Sequence, residues 1–440
     1  MSTPLQRSLE EPEPSRASAL ADAARTRPTY ILVLLTAVAF CYQLDRNVLY
    51  VTQELVKREF ALSDTQLGMV TGLAFGLANG LAGIPLGWLN DRVNRVKLLA
   101  ICVFAWSGLT TACGFASNFA TLFIARCGVG LAEAGGTPIS LSLLTDIYPA
   151  KQRASKIGIV SAGYGAGTVV SSLAGGYVAA HFGWRAAFLL YGLPGIALGL
   201  IFATTVREPA RSRSANERPI AAKAIPQAIG HLVRQPGLRV LFLGTALTSM
   251  TSGGVSAWWA SFMMRTHHLD LPTVGLISTV ALGVCATLGT IAAGYATDWA
   301  RRLTPGGPFL VISATSLINL VFASLALWTD HTGLMIAARC ATGATTTAYL
   351  APRGAALSEL APPHLRGLTF TLPIVISALV GVAMGGVTVG ALSDLLARRV
   401  ESGEALRVAM FLVLLVHIPV ACMYLFTARS MAKREAAARN

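Results

Sequence analysis

Long apolar stretches alternate with short charged clusters between Ile31 and Ala428. A helix needs roughly 20 apolar residues to cross about 30 Å of hydrocarbon, and stretches of this length recur along the chain. They are continuous rather than alternating in polarity, which favours helices over the strands of a barrel. We predict twelve membrane spans, numbered one to twelve in chain order: Tyr30–Tyr50, Gln66–Leu89, Lys97–Ala116, Phe119–Tyr148, Ile157–Phe182, Trp184–Val206, Leu238–Met264, Val274–Ala296, Pro308–Thr329, Gly333–Leu360, Thr369–Leu395 and Ala405–Ala428. The expected fold class is an all-α membrane protein.

The composition agrees with this pattern. Hydrophobic residues make up 54% of the 440 residues and charged residues only 13%, whereas an ordinary soluble domain is about 25% charged. A soluble protein of this length needs more polar surface to cover itself. All seven cysteines fall in apolar stretches, which predicts free thiols rather than a disulfide framework.

The net charge of +14 is explained by orientation in the membrane. With the N-terminus in the cytoplasm, about 24 of the 35 Lys and Arg residues fall on the cytoplasmic side, as the positive-inside rule requires. This distribution argues against a nucleic-acid surface. We expect a multi-pass protein of a bacterial inner membrane, with both termini cytoplasmic, no cleaved signal peptide, and a monomer in the lipid bilayer.

An internal repeat divides the chain. The stretch Gly87–Arg92 at the end of span two returns as Gly294–Trp299 at the end of span eight, and Ala125–Gly130 returns as Ala338–Gly343. Two halves related in this way predict two pseudo-symmetric six-helix bundles with a site where they meet. The predicted units are a disordered cytoplasmic tail at 1–28, the first bundle at 29–206, a cytoplasmic linker at 207–237 with one short helix, the second bundle at 238–428 and a cytoplasmic tail at 429–440.

The stretch Gly87–Arg95 resembles the motif between the second and third helices of the major facilitator superfamily, although Asn90 and Asn94 depart from its pattern. The resemblance implies the major facilitator fold. Acidic and basic side chains at this loop and its repeat can form breakable pairs where the halves meet, and we expect a cytoplasmic gate. Its candidate residues are Asp91, Arg92, Arg95, Asp298 and Arg301.

A narrower resemblance covers the first half. The sequence is similar to the spinster branch of that superfamily, whose eukaryotic members export lysolipids and sphingosine-1-phosphate. The stretches that carry the similarity are Asp45-Arg46, Leu62–Gly68, Gly83–Pro85, Trp106-Ser107, Ala125–Gly130, Glu133–Gly135 and Gly183–Arg185. The resemblance implies that Asp45, Arg46, Arg126 and Glu133 form a network for ion coupling and for the substrate head group.

These four residues also stand out as ionisable side chains at membrane depth, which are costly and mark functional sites. At 1.5 Å per residue, Asp45 and Arg126 lie at comparable levels in the outer half, so an ion pair between them is allowed. Glu133 lies two turns beyond Arg126 on the same face. Because burial and a movable Arg change the proton affinity of a carboxylate, we expect Glu133 and Asp45 to couple transport to protons, with sodium left open.

The second half holds Arg339, the repeat mate of Arg126, and Arg353 nearer the cytoplasm. We found no carboxylate at mid-membrane there, so the excess positive charge favours an anionic substrate. Tyr42, Trp258 and Tyr349 either line a cavity or belong to the aromatic belts at the membrane surfaces.

The sequence therefore predicts a secondary active transporter, not an enzyme, that moves a small amphipathic or anionic organic molecule, with a lysolipid as one candidate. The absence of a phosphate-binding loop disfavours ATP as the energy source, and we expect a proton gradient with no cofactor and no metal site. Alternatives are proton-coupled multidrug efflux, or a passive lipid pathway or sensor with the same fold. Neither the substrate nor the direction of transport follows from the sequence.

Overall fold

The computed structural model describes residues 28–209, 211, 225–362 and 365–439, and within them the chain forms helices and no strands. The all-α fold class is confirmed. The predicted tail at 1–28, except Pro28, lies outside the described residues, as do positions 210 and 212–224 of the predicted linker.

The twelve spans correspond to helices of unequal length. In chain order they are Pro28–Phe60, Asp64–Asn90, Arg95–Cys113, Phe119–Glu133 with Gly136–Ile147, Ala150–Phe182, Trp184–Thr205, Pro236–Thr266, Leu271–Leu303, Gly307–Trp328, Thr332–Thr346 with Leu350–Leu360, Arg366–Leu396, and Ser402–Leu414 with His417–Arg439. The predicted linker helix is present as Ile225–Arg234. The last helix runs on through most of the predicted C-terminal tail.

Ten of these segments are long and apolar enough to cross a membrane as one unit. Spans four and ten are each two shorter helices separated by a turn, so the count of twelve is not fully confirmed by length alone. Both breaks fall at the same place in the repeat: the offset that relates Arg126 to Arg339 relates the turn after Glu133 to the turn after Thr346. The repeat seen in the sequence therefore extends to the shape of the helices.

Local sequence signals explain where several helices begin. Ser63 and Gln66 form a reciprocal capping box at the start of span two, and Asn118 and Thr121 do the same at the start of span four. Each box satisfies backbone amides that the first helical turn leaves free. Gly183 separates spans five and six with a φ of 82°, a conformation that favours glycine.

The two halves meet along rows of small residues. A Cβ atom at Gly76 of span two would lie 2.5 Å from the backbone nitrogen of Ala383 in span eleven, so only glycine allows this approach. Further along span two, no atom of the described residues lies within 4 Å of such a Cβ at Gly83 or Gly87. Spans two and eleven therefore touch near one end of the molecule, here called the closed end, and diverge toward the end that carries the linker, here called the linker end.

Candidate functional site

The four ionisable residues predicted inside the first half come together there. Asp45, Arg126 and Glu133 are completely buried or nearly so, and Arg46 is half-buried. Asp45 accepts a hydrogen bond from Ser107 Oγ at 2.9 Å and lies within electrostatic range of Glu133 and Arg126. We call Asp45, Arg46, Arg126 and Glu133 the first-half charge cluster.

Phe75 of span two organises the two cations of this cluster. The guanidinium carbons of Arg46 and Arg126 lie 4.9 and 5.3 Å from its ring centroid, within the range of a cation–π contact. Span four can approach closely because position 130 is glycine: a Cβ there would lie 2.4 Å from the Phe75 carbonyl oxygen. The sequence alone gave no reason to select Phe75, since it is one apolar residue among many in span two.

Because Asp45 and Arg126 lie at similar depths in the membrane, the sequence allowed an ion pair between them, but this pair is not formed. Among the described residues, no hydrogen bond reaches any of the three guanidinium nitrogens of Arg126 or either carboxylate oxygen of Glu133. Buried charges without hydrogen-bonded partners are unfavourable. In this conformation Arg126 and Glu133 therefore form no hydrogen-bonded salt bridge within the described chain, and both are available to other partners.

Aromatic side chains form one wall beside the cluster. The hydroxyl of Tyr42 accepts a hydrogen bond from Arg46 at 3.1 Å, and its ring meets those of Trp106 and Tyr164 edge to face. Tyr164 is held in turn by a 2.8 Å hydrogen bond with Thr137, just after the break in span four. Tyr42 thus holds Arg46 in place.

The second half holds a buried cation that forms no ion pair with any acidic residue in the described part of the chain. Arg339 is 1% exposed, lies over the ring of Trp259 at 4.9 Å, and two of its nitrogens have no hydrogen-bond partner in the described chain. Arg353 stacks on Tyr349 at 5.3 Å. Trp258 is fully buried and donates to the carbonyl oxygen of Gly386 at 3.1 Å, so in this conformation it joins spans seven and eleven.

A polar pocket lies among the helices of the second half. Spans seven, nine, ten and twelve enclose it, and every lining side chain carries a hydroxyl, amide or imidazole group. The lining residues are Thr248, Ser252, Thr315, Ser316, Asn319, Thr345, Thr346, Tyr349 and His417. Of these, the sequence analysis selected only Tyr349. A histidine in the middle of span twelve was an available signal for the pocket, but it was not singled out.

The predicted gate residues at the linker end make contacts within the first half and with the linker. Arg95 is buried, forms an ion pair with Asp146, and binds Glu208 at 2.6 Å. Arg92 lies over the ring of Trp88 at 4.2 Å. The backbone carbonyl of Asp91 accepts a hydrogen bond from a linker arginine.

Their repeat mates behave in the same way. Arg301 pairs with Glu359 inside the second half, and the side chain of Asp298 is exposed. Each copy of the loop thus holds its own half together at the end where the halves diverge. Their role as a gate between the halves stays a prediction.

The closed end carries a cluster of charges that joins the halves. Arg265 of span seven binds Asp64 through two nitrogens, each at 2.8 Å, and Glu54 at 2.6 and 3.0 Å. Lys57 also pairs with Asp64. Arg265, Glu54 and Asp64 are at most 10% exposed. We call Glu54, Lys57, Asp64 and Arg265 the closed-end cluster.

Hydrogen bonds from backbone and side-chain groups extend the same contact. Asp394 of span eleven accepts from the backbone nitrogens of Asp64 and Thr65 at 2.9 and 2.8 Å, which caps the first turn of span two from the opposite half. Gln53 donates to the carbonyl of Ala257 and the hydroxyl of Ser261, both at 2.7 Å.

Sequence reasoning missed this cluster. The predicted ends of spans one and seven, Tyr50 and Met264, left Glu54 and Arg265 in external loops, where charges are normally solvated. The helices instead continue to Phe60 and Thr266. One signal was available in the sequence: the loop after span one carries acidic residues, and the corresponding loop after span seven carries a basic residue.

Two helical halves that are closed at one end and parted at the other, each with buried charges at membrane depth, are the architecture of a membrane carrier. Comparison with known families agrees: a model described as Major Facilitator Superfamily matches residues 35–328. The chain belongs to the major facilitator superfamily, and the expectation of a transporter rather than an enzyme is confirmed.

Individual relatives fit this assignment. The chain is 26% identical to an MFS-type efflux pump of Mycolicibacterium smegmatis over 90% of its length and 92% of the relative's. It is 28% identical to a probable L-galactonate transporter of Escherichia coli over 64% of its length and 63% of the relative's. A solved bacterial homologue of the human lysosomal transporter spinster, inward-facing and unoccupied, superposes with a TM-score of 0.79 at 26% identity, covering 92% of this chain and 98% of that one. The resemblance to the spinster branch is thereby confirmed.

Proposed function

We propose that this transporter carries a small organic anion together with protons, by alternating access between its closed end and its linker end. The observation that carries the proposal is Arg126, a wholly buried guanidinium whose nitrogens lack hydrogen-bond partners among the described residues. A planar guanidinium fits a carboxylate or phosphate through paired hydrogen bonds. Arg339 offers the same chemistry at the related position of the second half.

The balance of buried charge supports proton coupling. In the first-half charge cluster two carboxylates face two guanidinium groups, and Arg339 adds a cation in the other half. An anion that binds Arg126 competes with Asp45 and Glu133 for positive charge. Protonation of one carboxylate removes that competition, so anion and proton bind more favourably together than apart. Glu133 and Asp45 are the proposed proton carriers.

The probable L-galactonate transporter among the relatives supports an organic acid as substrate. In the predicted orientation the closed end faces the outside, so the structure corresponds to an inward-facing state, as its similarity to the inward-facing spinster homologue also suggests. The protein is proposed to lie in a bacterial inner membrane with both termini in the cytoplasm.

A second candidate function is efflux of an amphipathic molecule such as a lysolipid or a drug. It is favoured by the relative named an efflux pump, which matches over most of both chains, and by the aromatic wall around Tyr42. An amphipathic anion satisfies both candidates, because its head group fits Arg126 and its tail fits the rings.

The test uses proteoliposomes of the full chain with an imposed pH gradient and three substrates: L-galactonate, a lysophospholipid and a cationic drug. We expect an anionic substrate to accumulate above equilibrium when the gradient is imposed, and the accumulation to collapse with a protonophore. Equilibration without dependence on the gradient indicates a passive pathway, and binding without flux indicates a sensor. Gradient-driven movement of the cationic drug alone would contradict the anion proposal.

A further inference from the structure

The buried arginines of this protein have two kinds of partner. Arg265 at the closed end binds carboxylates at 2.6 and 2.8 Å. Arg126 and Arg339, which occupy equivalent positions in the two halves, form no hydrogen-bonded ion pair in the described part of the chain. The guanidinium carbon of Arg126 lies 5.3 Å from the ring centre of Phe75. That of Arg339 lies 4.9 Å from the ring centre of Trp259, so in both halves an aromatic ring takes the place of a carboxylate.

A ring and a carboxylate leave a guanidinium group in different states. A carboxylate occupies the N–H groups at the edge of the guanidinium plane through paired hydrogen bonds. An aromatic ring attracts the positive charge but leaves those N–H groups without an acceptor. The three guanidinium nitrogens of Arg126 have no hydrogen-bond partner among the described residues. The contact with Phe75 therefore stabilises the buried charge and keeps its N–H groups free for a further anion.

Two carboxylates stand close enough to compete for these N–H groups. Asp45 and Glu133 both lie within electrostatic range of Arg126, and Glu133 also lies within range of Arg46. The ring of Phe75 is 4.9 Å from the guanidinium carbon of Arg46 as well. One ring thus attracts both cations of the first-half charge cluster, and it opposes their movement toward the two carboxylates.

The backbone that carries Phe75 is fixed on two sides. A Cβ atom at Gly130 of span four would lie 2.4 Å from the carbonyl oxygen of Phe75, and Asn79, one turn further on, donates to the carbonyl oxygen of Gly130 at 3.2 Å. The next residue, Gly76, packs against the backbone of span eleven. The side chain of Phe75 is 1% exposed. The ring is therefore a fixed element, whereas the long arginine side chains depend on their contacts for their position.

We propose that Phe75 is a positioning residue, whose ring keeps Arg46 and Arg126 from pairing with the two carboxylates of the first-half charge cluster and so keeps their N–H groups free for the transported anion. The proposal rests on the anion transport proposed above and adds the residue that maintains the anion site. The equivalent contact of Arg339 with Trp259 in the second half supports it, because that buried arginine also has unpaired nitrogens.

Fluorination tests the ring while nearly keeping its shape. Fluorine atoms withdraw electron density from the face of the ring and so weaken its attraction for a cation. The experiment introduces trifluorophenylalanine at position 75 of the full-length protein in detergent and measures the binding of L-galactonate and of lysophosphatidate, an anionic lysophospholipid. Phe75→Leu, which removes the ring, is the second variant. The control is the same fluorinated residue in place of Phe188, which is buried against Trp184 and has no cation–π contact within the described chain.

We expect fluorination at position 75 to weaken binding of the anionic probe by roughly two- to thirtyfold, the value of one cation–π contact, because the guanidinium groups then turn to Asp45 and Glu133. Phe75→Leu should weaken binding at least as much, and fluorination at position 188 should leave it unchanged. Binding that is unchanged or tighter when position 75 is fluorinated overturns the proposal.

The melting temperature without any ligand measures the contact itself. Fluorination at position 75 is compared in the unmodified background and in the double variant Arg46→Gln/Arg126→Gln, as a double-mutant cycle. We expect fluorination to lower the melting temperature in the first background and to leave it nearly unchanged in the second, where neither cation faces the ring. An equal change in both backgrounds shows that the ring does not hold the arginines, which also overturns the proposal.

The two proposals fail in different ways. If the unmodified protein binds neither anionic probe while the melting temperatures show the coupling, the proposed anion transport fails and the placement of the two arginines by Phe75 stands. If an anion binds equally well with and without fluorination at position 75, the anion site stands and the positioning role of Phe75 is disproved.

Discussion

Arg265 binds both carboxylate oxygens of Asp64 across the boundary between the two halves, at 2.8 Å each. Both side chains are almost buried, so water screens this pair less than a surface pair. Alternating access requires the closed end to open, and this contact must then break. The residues that hold the closed end are therefore expected to set the equilibrium between the two states of the carrier.

Removing this contact should open the closed end. Arg265→Gln leaves the buried carboxylates of Glu54 and Asp64 without their shared cation, which destabilises the closed arrangement by roughly 3–5 kcal/mol. Spin labels at positions 58 and 268, on opposite halves near the closed end, should move apart in double electron–electron resonance measurements. Arg185→Gln is the matched control, because Arg185 pairs with Glu59 inside one half. Unchanged distances in Arg265→Gln would show that the ion pairs do not hold the halves together.

The cap that span eleven places on span two should contribute to the same closed state. Asp394→Ala removes the acceptor for the amides of Asp64 and Thr65, and we expect a loss of about 1–2 kcal/mol, typical of a helix cap. Thermal unfolding in detergent measures this loss of stability, and the spin-label distance is measured in the same variant. Ser63→Ala removes the local cap of the same helix and should lower stability without widening the closed end; equal widening in both variants contradicts a special role for Asp394.

Close approach of spans two and eleven should be sensitive to a single methyl group. Gly76→Ala places a Cβ 2.5 and 2.7 Å from backbone atoms of Ala383 and Ala378, and backbone atoms cannot move aside as a flexible side chain can. We expect transport to fall at least about tenfold as the closed end is forced apart. Gly83→Ala on the same helix brings its Cβ within 4 Å of no atom in the described residues, and this variant should transport normally. A fully active Gly76→Ala would indicate that the spans separate easily at this level.

Proton coupling should depend on Glu133. Glu133→Gln keeps the shape and removes the titratable group, so uphill uptake driven by a pH gradient is expected to disappear while exchange of labelled for unlabelled substrate persists. Uptake and exchange in the same proteoliposomes at several pH values measure both. Glu59→Gln, a partly exposed carboxylate at the closed end, is the control. Uptake by Glu133→Gln that equals the unmodified protein at every pH rules out the proposed role.

The first-half charge cluster shows what residue depth can and cannot predict. Distance along a helix placed Asp45, Arg126 and Glu133 in reach of one another, and the structure brings them together. Depth along a helix could not show that Phe75 lies beside both guanidinium groups. Nor could it show that Asp45 accepts a hydrogen bond from Ser107 instead of pairing with Arg126. Those choices depend on the rotation of spans two and three against span one, which no local pattern encodes.

The sequence by itself determined the helical spans, the repeat and the buried charges, because hydrophobicity and helical period are local properties of the chain. Tertiary structure alone decided which charges are solvated and which are paired. Glu54 and Arg265 look like loop charges in the sequence, and burial against the opposite half makes them a contact between bundles. His417 of span twelve and the hydroxyl groups of spans seven, nine and ten likewise form one pocket only after the second half has packed.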